Sequence, residues 1–260
     1  MLISAIVTLG TLIALAYSLS LSQAYGHASP IGYIPSPNEI INLSNQAVPN
    51  AVTITFTETP EPRASSLKVV NSNNERVDQD NLSVSEKDNS LSISLDKSKV
   101  KPGVYTANWL VLSKDDGHIT KGTYVFTVEG GQQHADTRNQ SHPRLEGQPV
   151  GYSKTITTDE NITLNLSIVP LEVGQNTFGL SISYKNGSAV ENIRNVFMEF
   201  ANPIKDLGPI SNTMVKVGPG TYSSTGAFLS QTGTWEVKIV VQRINEYDIN
   251  QEITLNVQSK

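Results

Sequence analysis

The sequence predicts an all-β protein made of two β-sandwich or Greek-key barrel domains, and three observations support this. Short apolar runs with period-two alternation recur along the 260 residues, as is typical of half-buried strands. Clusters of Asn, Asp, Gly, Pro and Ser separate these runs and predict turns. A polar stretch at residues 130–150 interrupts the pattern, which predicts a linker between two domains.

The first domain is predicted to span residues 27–129, because alternating runs follow one another there between turn residues. The strands predicted in it are 52–56, 67–70, 82–85, 91–95, 105–112 and 123–128. The second domain is predicted to span residues 151–260, a size typical of an immunoglobulin-like sandwich. The strands predicted in it are 162–169, 178–184, 196–200, 214–217, 220–228, 235–241 and 253–257.

Residues 1–26 differ from the rest of the chain and are predicted to be a signal peptide. Residues 1–21 are apolar and carry no charged side chain, and Ala24-Tyr25-Gly26 places small residues where a signal peptidase cleaves. No Lys or Arg precedes the apolar stretch, which is nearly long enough to be an uncleaved anchor. We expect an exported protein, periplasmic or extracellular and associated with the cell envelope, whose mature chain begins at His27.

Composition excludes several classes of function. The net charge is −5, and Lys and Arg form no long runs, so no nucleic-acid partner is predicted. The chain has no Cys, so a metal would be held by nitrogen and oxygen ligands, with Met as a further candidate. Neither G-x-S-x-G nor H-E-x-x-H occurs. We predict no catalytic residues, no organic cofactor and no enzyme activity.

His27, Asp116 and His118 are the candidate metal ligands. An N-terminal His offers its α-amine and its ring Nδ1 from one residue, which lowers the entropy cost of chelation. If Asp116 and His118 lie in extended backbone, their side chains point to the same side. One amine, two imidazoles and one carboxylate suit a single Cu(II) ion, although Zn(II) accepts the same ligands.

The first half resembles the CopC family of copper-binding proteins, whose mature chains begin with His and carry a D-x-H motif. The resemblance implies a small Greek-key barrel that binds one Cu(II) through the His27 amine and ring, Asp116 and His118. It also implies a role in copper tolerance, trafficking or uptake, with a membrane copper transporter or a copper enzyme as candidate partner. Its landmarks are His27-Ala28, Pro35-Ser36-Pro37-Asn38, Val52-Thr53-Ile54-Thr55-Phe56-Thr57-Glu58, Pro102-Gly103-Val104-Tyr105-Thr106-Ala107-Asn108-Trp109, Ser113-Lys114-Asp115-Asp116-Gly117-His118, Gly122 and Tyr124-Val125-Phe126-Thr127-Val128.

Some members of that family carry a Met-rich Cu(I) site, but the methionines here are Met1, Met198 and Met214. The first domain is therefore expected to bind only Cu(II). The second half resembles the YtkA-like domains that are fused to CopC domains in some exported copper proteins. That resemblance rests on Asn176-Thr177-Phe178, Val196-Phe197-Met198-Glu199-Phe200, Gly220-Thr221-Tyr222 and Gly233-Thr234-Trp235-Glu236-Val237.

Other interpretations remain open from the sequence. Met198 and Met214 are candidate soft ligands, but methionines on strands more often fill a core. His134 and His142 in the linker could bind metal loosely, although their polar neighbours favour a solvated connector. An N-terminal His chelate also occurs in copper enzymes that cleave polysaccharides oxidatively. A third alternative is a structural or adhesive cell-surface protein in which Asp116-Gly117-His118 is only a turn.

Overall fold

A computed structural model of the chain describes residues 27–130 and 151–258. These residues form strands, loops and a single short 3-10 helix, Pro203–Lys205. No helix within the described ranges is long and apolar enough to cross a membrane. The predicted all-β fold class is confirmed. The predicted signal peptide and nearly all of the predicted linker lie outside the described residues.

The first half folds as two four-stranded sheets. One has the order β1-β3-β6-β5 and the other the order β2-β8-β7-β4. All neighbouring pairs are antiparallel except β2 and β8, which run parallel. The strands are β1 (Pro30–Ile34), β2 (Ile40–Asn42), β3 (Ala51–Phe56), β4 (Ser66–Asn71), β5 (Ser83–Ser85), β6 (Ser90–Ser94), β7 (Gly103–Leu112) and β8 (Ile119–Glu129).

The first core lies between these two sheets. In β3 every second residue is buried, as the alternation of the sequence predicts. Phe56 of β3 meets Trp109 of β7 edge to face, with ring centroids 5.2 Å apart, which is a favourable arrangement for two aromatic rings. Ala28, the second described residue, is fully buried in the same core, so the start of the described range is anchored to the first sandwich.

The second half also folds as two sheets, with the orders β14-β15-β11-β10-β9 and β13-β12-β16-β17. Three aromatic rings join them, because Phe178 contacts Phe200 across the core and Phe228 packs against both. The strands are β9 (Tyr152–Thr157), β10 (Ile162–Val169), β11 (Gly174–Tyr184), β12 (Ile193–Asn202), β13 (Leu207–Thr213), β14 (Val215–Gly218), β15 (Thr221–Leu229), β16 (Gly233–Arg243) and β17 (Ile249–Val257).

Each predicted strand overlaps an observed one. Four observed strands were not predicted, namely β1, β2, β9 and β13. Strand β2 has only three residues, and β9 is an edge strand with mostly exposed side chains. Pro30 and Gly32 in β1, and Gly208-Pro209 in β13, are residues that normally argue against a strand. Both of these strands lie at sheet edges, where proline is tolerated.

The outer face of the sheet that contains β7 and β8 packs against the second sandwich. Residues 124–128 of β8 are buried without alternation, as expected for a strand covered on both faces. Val70, Val104 and Val125 join the hydrophobic core of the second half. The hydroxyl of Thr106 donates a buried hydrogen bond to that of Ser230 at 2.8 Å. The two halves therefore share an apolar interface on this side of the first sandwich.

Candidate metal centre

The loop between β7 and β8 presents Asp116 and His118. Lys114, Asp115 and Asp116 form a turn, and Gly117 follows with φ of +72°. Only glycine adopts such left-handed backbone without strain. Asp116 and His118 therefore do not lie in extended backbone, because the loop reverses direction here. Their side chains nevertheless meet on one side of the loop.

A local hydrogen bond explains why they meet. The backbone N–H of His118 donates to Oδ1 of Asp116 at 2.9 Å, which is the geometry by which an Asp side chain closes a turn two residues ahead. This leaves Oδ2 of Asp116 facing the imidazole, whose Nδ1 lies 2.9 Å away. The hydrogen bond from the His118 backbone, followed by those from the His118 ring, Ser113 and His27, holds the pKa of Asp116 well below its usual range.

His27 approaches the same carboxylate from another part of the chain. Its ring Nδ1 and its backbone N each lie 3.3 Å from Oδ2 of Asp116. The imidazoles of His27 and His118 have centroids 4.4 Å apart and are tilted by 58°. The backbone nitrogen and the ring nitrogen of His27 thus face the Asp116 carboxylate together, as a chelating residue would.

Hydrogen bonds fix the backbone that follows His27. The Thr120 hydroxyl donates to the carbonyl of Ala28 at 2.7 Å. The Thr57 hydroxyl donates to the carbonyl of His27 at 3.2 Å and accepts the N–H of Ser29 at 2.9 Å. Because Ala28 is also fully buried, the segment that follows His27 has little freedom to move away from the D-x-H loop.

The donor set fits a metal ion. One ligand atom from each of His27, Asp116 and His118 lies within 4.8 Å of the other two. Bonds of about 2.0–2.1 Å, as between zinc and imidazole, require donors within roughly 4.2 Å of one another, so a small side-chain rotation completes the site. The rings are half-exposed, 52% for His27 and 61% for His118, which gives them the freedom to rotate.

The other candidate ligands lie elsewhere. Met198 and Met214 are buried in the core of the second sandwich, in agreement with the prediction that they fill space. His134 and His142 lie outside the described residues. No further group of three His or carboxylate side chains within ligand distance occurs in the two described ranges.

Several residues that hold the candidate ligands in place were not predicted from the sequence. Four polar side chains contact either the D-x-H loop or the segment that begins at His27, and they belong to Thr57, Glu58, Ser113 and Thr120. The available signal was their position, since Thr57 and Glu58 follow β3 directly while Ser113 and Thr120 flank the loop. Short polar residues at strand ends are common, however, and position alone does not indicate what they contact.

Comparison with protein families gives two matches. A model of the CopC domain matches residues 42–129, and a model of YtkA-like proteins matches residues 157–240. Asp116 and His118 lie inside the first match and His27 lies before it. Protein YobA of Escherichia coli strain K12 is 33% identical over 115 residues, which are 44% of this chain and 89% of that protein. The same relative occurs in Shigella flexneri with the same identity.

Two solved structures align with about two fifths of the chain. CopC from Methylosinus trichosporium OB3b is 27% identical, with a TM-score of 0.35, over 41% of this chain and 97% of its own length. PcoC from Escherichia coli, described as a methionine-rich copper resistance protein, is 19% identical with a TM-score of 0.33. It aligns with 40% of this chain and over its whole length.

Proposed function

Because the chain belongs to the CopC domain family and carries a YtkA-like domain after it, we propose that it is an exported protein that binds one Cu(II) ion. The ion is its cargo, in copper trafficking, tolerance or uptake. We assign binding to a domain of residues 27–129 and place the second domain at residues 151–260, with residues 130–150 as the linker. The predicted absence of a nucleic-acid partner is part of this proposal.

One observation carries the proposal: His27, Asp116 and His118 place their donor atoms within 4.8 Å of one another although they come from distant parts of the chain. The His27 amine and ring, the Asp116 carboxylate and the His118 ring would give three nitrogen ligands and one oxygen ligand. Cu(II) stands at the top of the affinity order for such sites. The lowered pKa of Asp116 keeps its carboxylate charged and able to bind a cation.

Removal of residues 1–26 is an essential part of the proposal. In the uncleaved chain the nitrogen of His27 belongs to a peptide bond, whereas cleavage before His27 makes it an amine. An α-amine titrates at about 8, so a metal displaces its proton near neutral pH.

Binding is proposed in preference to oxidative catalysis. An anionic ligand such as Asp116, beside two imidazoles and an amine, would stabilise Cu(II) and leave less open coordination for oxygen. Exposure of both imidazoles instead favours exchange of the ion with a partner, for which a membrane copper transporter or a copper enzyme is the candidate. Copper-dependent cleavage of a polysaccharide that disappears in His118→Ala would reverse this preference.

Titration of the protein that begins at His27 tests the proposal. With Cu(II) and a competing chelator at neutral pH, we expect one tight equivalent in the wild type and strong weakening in His118→Ala. Glu236 lies exposed on β16 of the second sandwich and outside the group of candidate ligands, so a Glu236→Gln variant serves as the control and should bind like the wild type. Absence of a tight equivalent in the wild type would overturn the proposal and favour a structural or adhesive role.

A further inference from the structure

Two buried side chains lie directly beneath the D-x-H loop. Ser113 follows β7 and is 2% exposed, and Glu58 follows β3 and is 6% exposed. The Ser113 hydroxyl donates to Oε2 of Glu58 at 2.6 Å. The hydroxyl oxygen of Ser113 also accepts the backbone N–H of Asp115 at 3.0 Å and that of Asp116 at 3.3 Å. One hydroxyl thus connects a buried carboxylate to the loop that carries the candidate ligands.

The chemistry of a hydroxyl makes this connection directional. It has one hydrogen to donate and two lone pairs to accept with. The carboxylate of Glu58 takes the hydrogen, in a charge-assisted bond of the length typical for a hydroxyl and a carboxylate. The lone pairs must then point away from Glu58, which is toward the amides of Asp115 and Asp116. Without Glu58 the hydroxyl could rotate and leave these amides.

The backbone of Ser113 also holds the two ends of the loop together. The Ser113 carbonyl accepts the N–H of Gly117 at 3.1 Å, and the Ser113 N–H donates to the carbonyl of His118 at 2.9 Å. Ser113 therefore contacts both candidate ligands of the loop. Its hydroxyl oxygen accepts the N–H of Asp116, and its own N–H donates to the carbonyl of His118. Glu58 itself contributes no atom to the group of donors around His27.

We propose that Glu58 and Ser113 are positioning residues for the metal centre, which hold the D-x-H loop in its ligating shape before the ion arrives. This inference rests on the proposed function. A buried carboxylate is costly unless it is hydrogen-bonded, and here its partner is the residue that organises the loop. Partners that orient metal ligands typically change metal affinity by about 10- to 100-fold when they are removed.

The test compares variants of the full mature chain. Ser113→Ala removes the connecting oxygen, and Glu58→Leu removes the acceptor while keeping similar bulk. We expect each to weaken Cu(II) binding by about 10- to 100-fold and to shift the visible and EPR spectra of the bound ion. Glu58→Gln keeps an acceptor for Ser113, so it should bind within about threefold of the wild type and keep the wild-type spectra. A strong loss in Glu58→Gln would instead make Glu58 a direct ligand and overturn the inference.

A matched control separates positioning from general stability. Asp78 is another buried carboxylate of the first sandwich, but it accepts hydrogen bonds from Val69 and Arg76 rather than from the loop. Asp78→Asn should lower the unfolding temperature without changing the spectra of the bound ion. Wild-type affinity and spectra in folded Ser113→Ala would overturn the inference and leave the proposed function intact. No binding by the wild type would overturn both.

Discussion

The imidazole of His118 lies against that of His27, with ring centroids 4.4 Å apart. One ring belongs to the first described residue and the other to the loop between β7 and β8, and Oδ2 of Asp116 contacts both. Because Ala28 is buried and Thr120 donates a hydrogen bond to its carbonyl, the fold brings His27 to the D-x-H loop. This juxtaposition is the basis of the copper proposal.

Retention of a single residue before His27 should weaken Cu(II) binding. A chain that begins at Gly26 converts the His27 amine into a peptide nitrogen and breaks the chelate, so we expect affinity to fall by about 100-fold or more. A competitive titration of the two chains measures this. Adding a residue at the C-terminus is the matched control and should have no effect. Equal affinity of the two chains would show that the terminus is not a ligand.

Cu(II) affinity should fall as the pH falls. Histidine side chains change charge between about pH 5 and 8, and protons compete with the metal for the two imidazoles and the amine. Asp116 contributes little to this change, since its lowered pKa keeps it ionised throughout that range. Titrations at pH 5, 6, 7 and 8 should show affinity that increases with pH. Constant affinity down to about pH 4 would argue against imidazole ligands.

Asn38 should stabilise the contact between the two sandwiches. Its side chain donates to the carbonyl of Thr225 at 3.0 Å and accepts the N–H of Ala227 at 3.2 Å. Asn38→Ala should cost about 1–3 kcal/mol for two hydrogen bonds and lower the unfolding temperature by several degrees, as measured by calorimetry.

Asn245 provides the control for Asn38, because both residues have a left-handed φ of 60° and alanine is strained at each. Asn245 is exposed in the turn between β16 and β17, away from the contact between the sandwiches. Asn245→Ala therefore reports the backbone cost alone. If the two variants unfold at the same temperature, the bonds from Asn38 to Thr225 and Ala227 do not contribute to stability.

Gly122→Ala should destabilise the first sandwich. A Cβ at Gly122 would lie 2.6 Å from the ring of Trp109, and this ring is buried in the core. Overpacking of this kind costs about 1–3 kcal/mol, which chemical denaturation can measure. Gly32→Ala is the control, because the added carbon would meet Thr55 at an ordinary 3.6 Å. Equal stabilities would show that Trp109 moves aside freely.

Much of the fold could be predicted from periodicity, and its failures have physical causes. Both ends of β10 were predicted correctly, because buried and exposed side chains alternate along this strand. Edge strands such as β9 bury little, so their sequences carry a weak pattern. In β8 the pattern fails for the opposite reason, since Val125 and its neighbours are covered on both faces. The sequence indicates a strand there but not which surface covers its outer face.

The sequence pointed to three candidate ligands that the structure brings together, but not to the geometry in which they meet. The spacing of Asp116 and His118 suggested an extended segment, whereas the side chains meet because Asp116 closes a turn onto the His118 amide. The support from Glu58 and Ser113 could not be predicted, because it joins residues that only tertiary structure brings together. Local patterns single out the candidate ligands, whereas the contacts between the loop and the residues after β3 depend on tertiary structure.

The most direct measurement is a count of the imidazoles bound to Cu(II) in the one-to-one complex of the chain that begins at His27. Pulsed EPR detects the remote nitrogen of each coordinated imidazole. Two coordinated imidazoles are expected in the wild type and one in His118→Ala. The same count in both proteins, or no bound Cu(II) in the wild type, would contradict a copper centre built from His27, Asp116 and His118.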